Sequence, residues 1–322
     1  MDSLLTALKA VAEPTRLRLL ALCAQGELTV SDLTHILGQS QPRVSRHLKL
    51  LCDAGLLERS REGTWALFRL AEGGEGARLS RQLLGFLPEG DSRLALDRQR
   101  LAALRQAQAE RAAQYFRDNA DRWHEIRSLH VPEREVEAAL LRLLPEAGLH
   151  DLLDIGTGTG RMLELFGPRI ERGLGVDASR EMLGIARANL DRAALRHCQV
   201  RQADMYALPL PSASFDAVVV HQVLHYAEQP GEAIAEAARM LRPGGRLAIA
   251  DFAQHDVESL RSEHAHRRLG FADAEIAAWC RAAGLEPQPP VRLPGVPLTV
   301  VVWTAIRNAD AVSLLPAAEA VA

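Results

Sequence analysis

Ten residues, Asp151-Leu-Leu-Asp-Ile-Gly-Thr-Gly-Thr-Gly160, constrain this chain more than any others. Leu152, Leu153 and Ile155 form an apolar run that ends in glycines at alternate positions, Gly156, Gly158 and Gly160. Arg161-Met-Leu-Glu-Leu-Phe166 follows with helical spacing. A buried strand, a glycine turn and a helix form the first half of a nucleotide-binding α/β unit. Glycine lets the turn tighten and the backbone approach a ligand. The next apolar run, Gly173-Leu-Gly-Val176, ends in Asp177. An acid about 20 residues beyond the first strand is where such folds meet ribose hydroxyls.

The spacing is G-x-G-x-G rather than G-x-G-x-x-G, and Asp154 stands two residues before the first glycine. This resembles motif I of the class I S-adenosylmethionine (SAM) methyltransferases. That resemblance implies a site for SAM or S-adenosylhomocysteine built from Asp154, Gly156, Thr157, Gly158, Gly160, Asp177, Ala178 and Met182. Asp204, closing the strand-like run Val200–Asp204, and Met205 after it would meet adenine. Phe215–His221 reads as a further buried strand, with His221-Gln-Val-Leu-His-Tyr226 at its carboxyl end, where ligands bind in open α/β sheets. His221 lines the pocket, and His221 or His225 is a candidate base. The implied sheet is Rossmann-like and seven-stranded, closed by an antiparallel strand over Leu298–Ile306. Tyr115, Phe116 and Trp123 lie in a segment similar to the helical cap that precedes motif I in some of these enzymes, with Tyr115 a candidate cofactor contact.

The amino-terminal part reads differently. Two short amphipathic helices precede Gly26, and a third, Asp32–Leu37, is stopped by Gly38. A fourth starts at Ser40-Gln-Pro, with Ser40 suited to cap it and Pro42 to its first turn. Val44, Leu48 and Leu51 make its inner face, leaving Arg43, Ser45, Arg46, His47 and Lys49 outside. Two β-runs joined around Gly63 complete a winged helix-turn-helix. SQPRVSRHLKLLCDAGLLERSREGTWALFRL, with EPTRLRLLALC upstream, resembles the ArsR-type repressors over about residues 3–88. That resemblance implies a homodimer binding double-stranded operator DNA, one such helix per major groove. Ser40, Gln41, Arg43, Ser45, Arg46, His47 and Lys49 would face DNA, and Arg59 and Arg61 on the wing would meet phosphate. The place where metal-sensing members carry cysteines reads Glu27-Leu-Thr-Val-Ser-Asp-Leu33, so no thiophilic metal site is expected there.

These readings divide the chain into a winged helix (1–90), a linking helix and helical cap (91–135), a methyltransferase domain (136–308) and a mobile Ala-rich tail (309–322). The linking helix, Leu94 to Tyr115, is highly charged with a thin apolar stripe of Leu94, Leu101 and Leu104. A net charge of −3 excludes a general polyanion binder. Almost every cation is arginine, lysine occurring only at Lys9 and Lys49, so arginine number carries little meaning. No apolar run is long enough to span a membrane and the first residues lack signal-peptide character. Four widely spaced cysteines read as free thiols of a cytoplasmic protein.

Acceptor chemistry is narrowed by what is missing. HQVLHY replaces the N-P-P-Y-like segment of amino-methylating DNA enzymes, and no Pro-Cys nucleophile or clustered thiols for arsenic methylation are present. The expected protein is a DNA-binding regulator whose methyltransferase domain methylates a small molecule. The alternative is a repressor that senses SAM or S-adenosylhomocysteine without turnover.

Overall fold

The structure, a computed structural model, describes residues 2–62, 65–71, 73–88, 90–119, 132–144 and 147–308. The chain divides into two compact units, Met1–Arg111 and Ala112–Ala322. Among the described residues no helix is long and apolar enough to cross a membrane. The proposed tail, 309–322, and Trp123 of the helical cap lie outside the described residues.

The first unit begins with helices α1 (Asp2–Val11) and α2 (Pro14–Cys23), strand β1 (Leu28–Thr29), and helices α3 (Val30–Leu37) and α4 (Gln41–Asp53). The hairpin β2 (Leu57–Glu62) and β3 (Trp65–Leu70) and helix α5 (Gly74–Gly85) follow. Thr29 and Asp32 cap α3 reciprocally, each side chain accepting from the other's backbone amide. Gly38 ends α3 at φ +62°, a conformation that glycine adopts without a Cβ penalty. That stop lets the chain turn at once into α4. Val44, Leu48 and Leu51 of α4 are buried in a core shared with Leu19, Leu20, Leu33, Ile36 and Leu56. The hairpin pairs Leu57 with Leu70 through Glu62 with Trp65, and β1 joins β3.

Helix α6 spans Ser92–Asn119, longer at both ends than the periodicity predicts. Its beginning belongs to the first unit, and the reason is not its leucines alone. Asp97, 1% exposed, accepts two hydrogen bonds from the Arg18 guanidinium, at 2.6 and 2.7 Å. Arg100 donates to the Ile36 carbonyl at 2.8 Å, in the last turn of α3, and Arg105 to the Gln25 carbonyl at 2.6 Å. The helix thus grips the scaffold immediately before α4. Breaking a buried pair strands the remaining charge, so Asp97→Ala is expected to lower the stability of this unit by about 2–4 kcal/mol. Chemical denaturation followed by circular dichroism checks this; an unchanged midpoint contradicts the role given to the pair.

The second unit contains α7 (Glu133–Leu143), β4 (Asp151–Ile155), α8 (Arg161–Phe166), β5 (Arg172–Asp177), α9 (Arg180–Arg192), β6 (Cys198–Gln202) and β7 (Phe215–His221). After these come α10 (Pro230–Met240), β8 (Leu241–Phe252), α11 (Ser259–Glu263), α12 (Asp273–Ala282), β9 (Leu285–Pro287), β10 (Val291–Leu293) and β11 (Val300–Arg307). The sheet order is β10-β11-β8-β7-β4-β5-β6, with β9 also on β11. β4 through β8 are parallel and β11 runs against β8. The sheet has seven positions but eight strands. Pro289 and Pro290 interrupt the edge, so β9 and β10 share one side of β11. Arg242-Pro-Gly-Gly245 forms a bulge within β8. Leu241 pairs with Phe215 and Arg246 with Ala217, so four residues loop out. Arg242 there bridges Asp216 and Asp151 at 2.6 Å each, fastening β7 to β4 at the amino end of the sheet.

The strands are apolar on both faces because helices cover both. Helices α7, α8 and α9 pack with Leu152, Ala217 and Ala248, and α10 and α12 with Leu153, Val218 and Ile249. The chain winds outward from β4 through β5 to β6, then returns and winds the other way from β7. The carboxyl ends of β4 and β7 therefore flank the switch point, where doubly wound sheets open a crevice.

Candidate functional site

In the first unit, α4 presents Ser40, Gln41, Arg43, Arg46 and Lys49 as exposed residues, with Ser45 partly covered. Ser40 occupies the cap position, yet its side chain makes no capping bond, so its hydroxyl is spent on nothing within the helix. His47 is turned back: its Nδ1 lies 3.8 Å from Glu13, the residue capping α2. Burial holds the His47 ring below the usual histidine range. Arg59 and Arg61 are exposed on β2. Glu58, beside Arg59 on the wing, pairs with Arg69 at 3.0 Å.

In the second unit the glycine turn is built as its spacing predicts. Gly156, Gly158 and Gly160 all have positive φ, at +71°, +51° and +84°. Gly156 and Thr157 donate their amides to the Val176 carbonyl at 2.8 and 2.9 Å, which folds the turn onto β5. Asp154 is buried and accepts the Thr157 hydroxyl at 2.6 Å. A Cβ on Gly175 would sit 2.6 Å from that hydroxyl, so β5 needs its glycine to pass beneath Thr157. Gly160 opens α8 and lets it approach α9, its Cβ position lying 3.2 Å from Ala186.

Asp177 ends β5 and is partly exposed. One carboxylate oxygen accepts the Gly158 amide and the other the Ser179 amide, each at 2.8 Å. Burial pushes its pKa up, and the three amides of Ser179, Gly158 and Ala178 offset this only in part. Ser179 caps α9 through the Met182 amide; Met182 is buried and Ala178 exposed. β6 stops at Gln202, and Asp204 sits in the following turn, exposed, accepting the Tyr206 amide at 3.0 Å, with Met205 partly buried beside it. The Asp177 carbonyl accepts from Ala203 at 3.1 Å, which places Asp204 one residue from the end of β5. The backbone of Tyr115 lies in α6, and its side chain is outside the described residues.

Across the switch point, His221 ends β7 and is buried. The chain then turns through Gln222, at φ +52°, and a Cβ on Gly156 would overlap the Val223 side chain. The segment carrying His225 therefore rests directly on the glycine turn. His225 is 2% exposed, and its Nδ1 lies 2.7 Å from Asp251 Oδ1. Asp251 is the residue that sequence reading missed. Its signal is its place, a single acid closing the apolar run Arg246–Asp251, at the same end of the sheet as His221. Asp177 thus ends β5 on one side of β4, and on the other side the His225–Asp251 pair ties the segment after β7 to the end of β8.

Comparison with known proteins gives each unit a relative. Residues 13–59 match the model of the bacterial regulatory protein arsR family, and residues 153–249 that of a methyltransferase domain. The arsenic resistance transcriptional regulator ArsR1 of Pseudomonas putida is 49% identical over 63 residues, 19% of this chain and 49% of the relative. The uncharacterized methyltransferase YcgJ of Bacillus subtilis is 31% identical over 102 residues, 32% of this chain and 40% of the relative. The 27-O-demethylrifamycin SV methyltransferase of Amycolatopsis mediterranei is 33% identical over 165 residues, 46% of this chain and 58% of the relative. Each match thus spans well under two thirds of the relative's length. Fold and matches together define a winged-helix regulatory domain followed by a doubly wound transferase domain. The chain joins an ArsR-family DNA-binding regulator domain to a methyltransferase domain.

Proposed function

We propose that the chain is a homodimeric transcriptional regulator that binds operator DNA through α4 and the wing. Its second domain binds SAM and transfers the methyl group to a small molecule. Leu4, Leu5 and Leu8, exposed along α1, support self-association of the first unit. Arg43, Arg46 and Lys49 on one open face of α4, with Arg59 and Arg61 on the wing, support DNA binding.

The observation that carries the second half is Asp177. Its carboxylate is held by backbone amides at the end of β5, and each oxygen retains a lone pair for a ribose hydroxyl. The residues fit SAM: a glycine turn for the amino-acid end, Asp177 for the ribose, and Asp204 with Met205 for adenine. SAM supplies a methyl group on a positively charged sulfur that leaves as a neutral thioether. Holding SAM alone requires no buried Asp251–His225 pair, and that pair favours turnover over sensing.

Asp177 also sets a pH dependence. Ribose hydroxyls donate to its ionised form, so affinity is complete above its raised pKa and is lost as pH falls through it. The ligand-free domain behaves oppositely. A carboxyl raised on folding adds stability below its unfolded pKa, and this is lost as pH rises through the folded one. Calorimetric SAM titrations from pH 7.5 downward are expected to weaken before ordinary carboxylates protonate. An affinity flat down to the usual aspartate range contradicts the ribose role.

A further inference from the structure

The buried pair His225 and Asp251 lies at the carboxyl end of the sheet, its histidine on the segment whose Val223 packs on Gly156 of the glycine turn, and resting on the methyl-transfer reading, we propose that it deepens that reading to a substrate class. His225 Nε2 is the base for an acceptor hydroxyl, of the phenol or enol type, and Asp251 is its positioning residue.

Geometry fixes the tautomer. Asp251 is wholly buried at the end of β8. Its Oδ1 accepts the Phe252 amide at 2.8 Å and its Oδ2 the His225 amide at 3.2 Å, so the carboxylate cannot rotate away. An ionised carboxylate only accepts, so the imidazole Nδ1 facing it at 2.7 Å carries the proton. Nε2 then keeps its lone pair. The ring sits among other rings: Tyr226 at 4.0 Å, His266 at 4.1 Å and Phe252 at 5.2 Å between centroids. Phe252 and His266 are themselves stacked, at 20°. The backbone amides of Arg267 and Arg268 both donate to the His225 carbonyl at 3.0 Å, which fastens the segment bearing His266 over the base. Flat side chains packed about His225 favour a planar acceptor.

A buried polar pair with a charged member is weak evidence for stability, because apolar side chains of similar size pack as well or better. Its position beside the glycine turn gives it a chemical reason instead. Acceptor classes differ in what they need from a base. A neutral amine attacks with its lone pair and sheds a proton afterwards. A thiol with a pKa near 8.5 supplies thiolate on its own, whereas a phenol near 10 stays protonated at neutral pH. A fixed base therefore gains most for a hydroxyl, typically about 10²–10⁴-fold. The balance is simple: the O–H proton passes to Nε2, the oxygen pair forms the O–CH3 bond, and the C–S pair returns to sulfur. The imidazolium, stabilised by Asp251, then releases its proton to solvent.

The test uses the full chain, SAM, and a panel of simple phenols, amines and thiols. His225→Gln and Asp251→Asn are expected to slow methylation of a neutral phenol at least about 100-fold. The SAM dissociation constant should stay within threefold. With 4-nitrophenol, largely ionised at pH 8, the same variants should lose less than fivefold, which a merely structural defect does not allow. Histidine-selective 15N spectra of the unsubstituted chain supply a second readout, with His225 expected protonated at Nδ1 and bare at Nε2. A proton on Nε2, equal losses on both phenols, or methylation of amines or thiols alone overturns this inference and leaves the methyl-transfer reading standing. Intact SAM binding with no acceptor of any class methylated overturns that reading, and this one with it.

Discussion

Asp177→Ala is expected to weaken SAM binding by roughly a hundredfold to a thousandfold while leaving operator binding by the ligand-free chain unchanged. The carboxylate stands where two ribose hydroxyls would donate to it, and a hydrogen bond to a charged group contributes about 1.5–3 kcal/mol. Two such bonds at the lower end of that range, about 3–4 kcal/mol together, give a loss of that size. The substitution also removes the acceptor for the Gly158 amide, 2.8 Å from Oδ2, and so loosens the glycine turn itself. Asp177→Asn separates the contributions: it can still accept at one oxygen but has lost the charge. Operator binding is spared because Asp177 belongs to the second unit and α4 to the first. Calorimetry with SAM and a gel shift on the same preparation make the comparison. Equal SAM affinity in the variant contradicts the site.

The other large effect is expected from α4. Arg43→Ala combined with Arg46→Ala should weaken binding to an operator, selected by the protein from a random-sequence pool, roughly a hundredfold or more. A lost base contact is worth about 1–3 kcal/mol of discrimination, and a lost phosphate contact weakens every sequence alike. Both arginines are exposed on the helix face opposite Val44, Leu48 and Leu51, so the substitutions leave the core untouched. Titrations at several salt concentrations tell the roles apart, since a phosphate contact flattens the salt slope by about one unit and a base contact does not. His47, packed toward Glu13, is expected to matter less than either arginine. A doubly substituted chain that shifts operator as the unsubstituted chain does contradicts the placement of α4.

Much of this architecture is legible in the sequence because its determinants are local. Gly156, Gly158 and Gly160 each take a positive φ, a demand that a single residue type announces. The buried face of α4 is written in the spacing of Val44, Leu48 and Leu51, and Asp177 in its distance from the turn. What stayed hidden pairs residues far apart. His225 and Asp251 are 26 positions distant and meet only because β7 and β8 lie side by side. Arg18 and Asp97 are 79 apart, and in a chain whose cations are almost all arginine nothing marks Arg18, Arg100 or Arg105. In sequence α6 shows only a thin apolar stripe, Leu94, Leu101 and Leu104, which suits a helix packing on its neighbours or on a partner subunit without naming the contacts. Its beginning is held by guanidinium groups, so the compact first unit runs on to Arg111.

Operator binding is expected to respond to ligand state. Helix α6 runs out of the first unit, and its Arg100 holds the last turn of α3, which leads through Gly38 into α4. Half-sites on DNA lie about one helical turn apart, so a shift of a few ångströms in a dimer decides whether both α4 helices dock. A ligand moves that balance only by its differential affinity, and the linkage is reciprocal. The direct measurement is a calorimetric titration of the full chain with SAM and with S-adenosylhomocysteine, each with and without the selected operator. We expect SAM to bind, and at least one of the two dissociation constants to change with operator by about 5- to 150-fold. Failure to bind either ligand, or the same constants in both conditions, contradicts a regulator that couples its two domains.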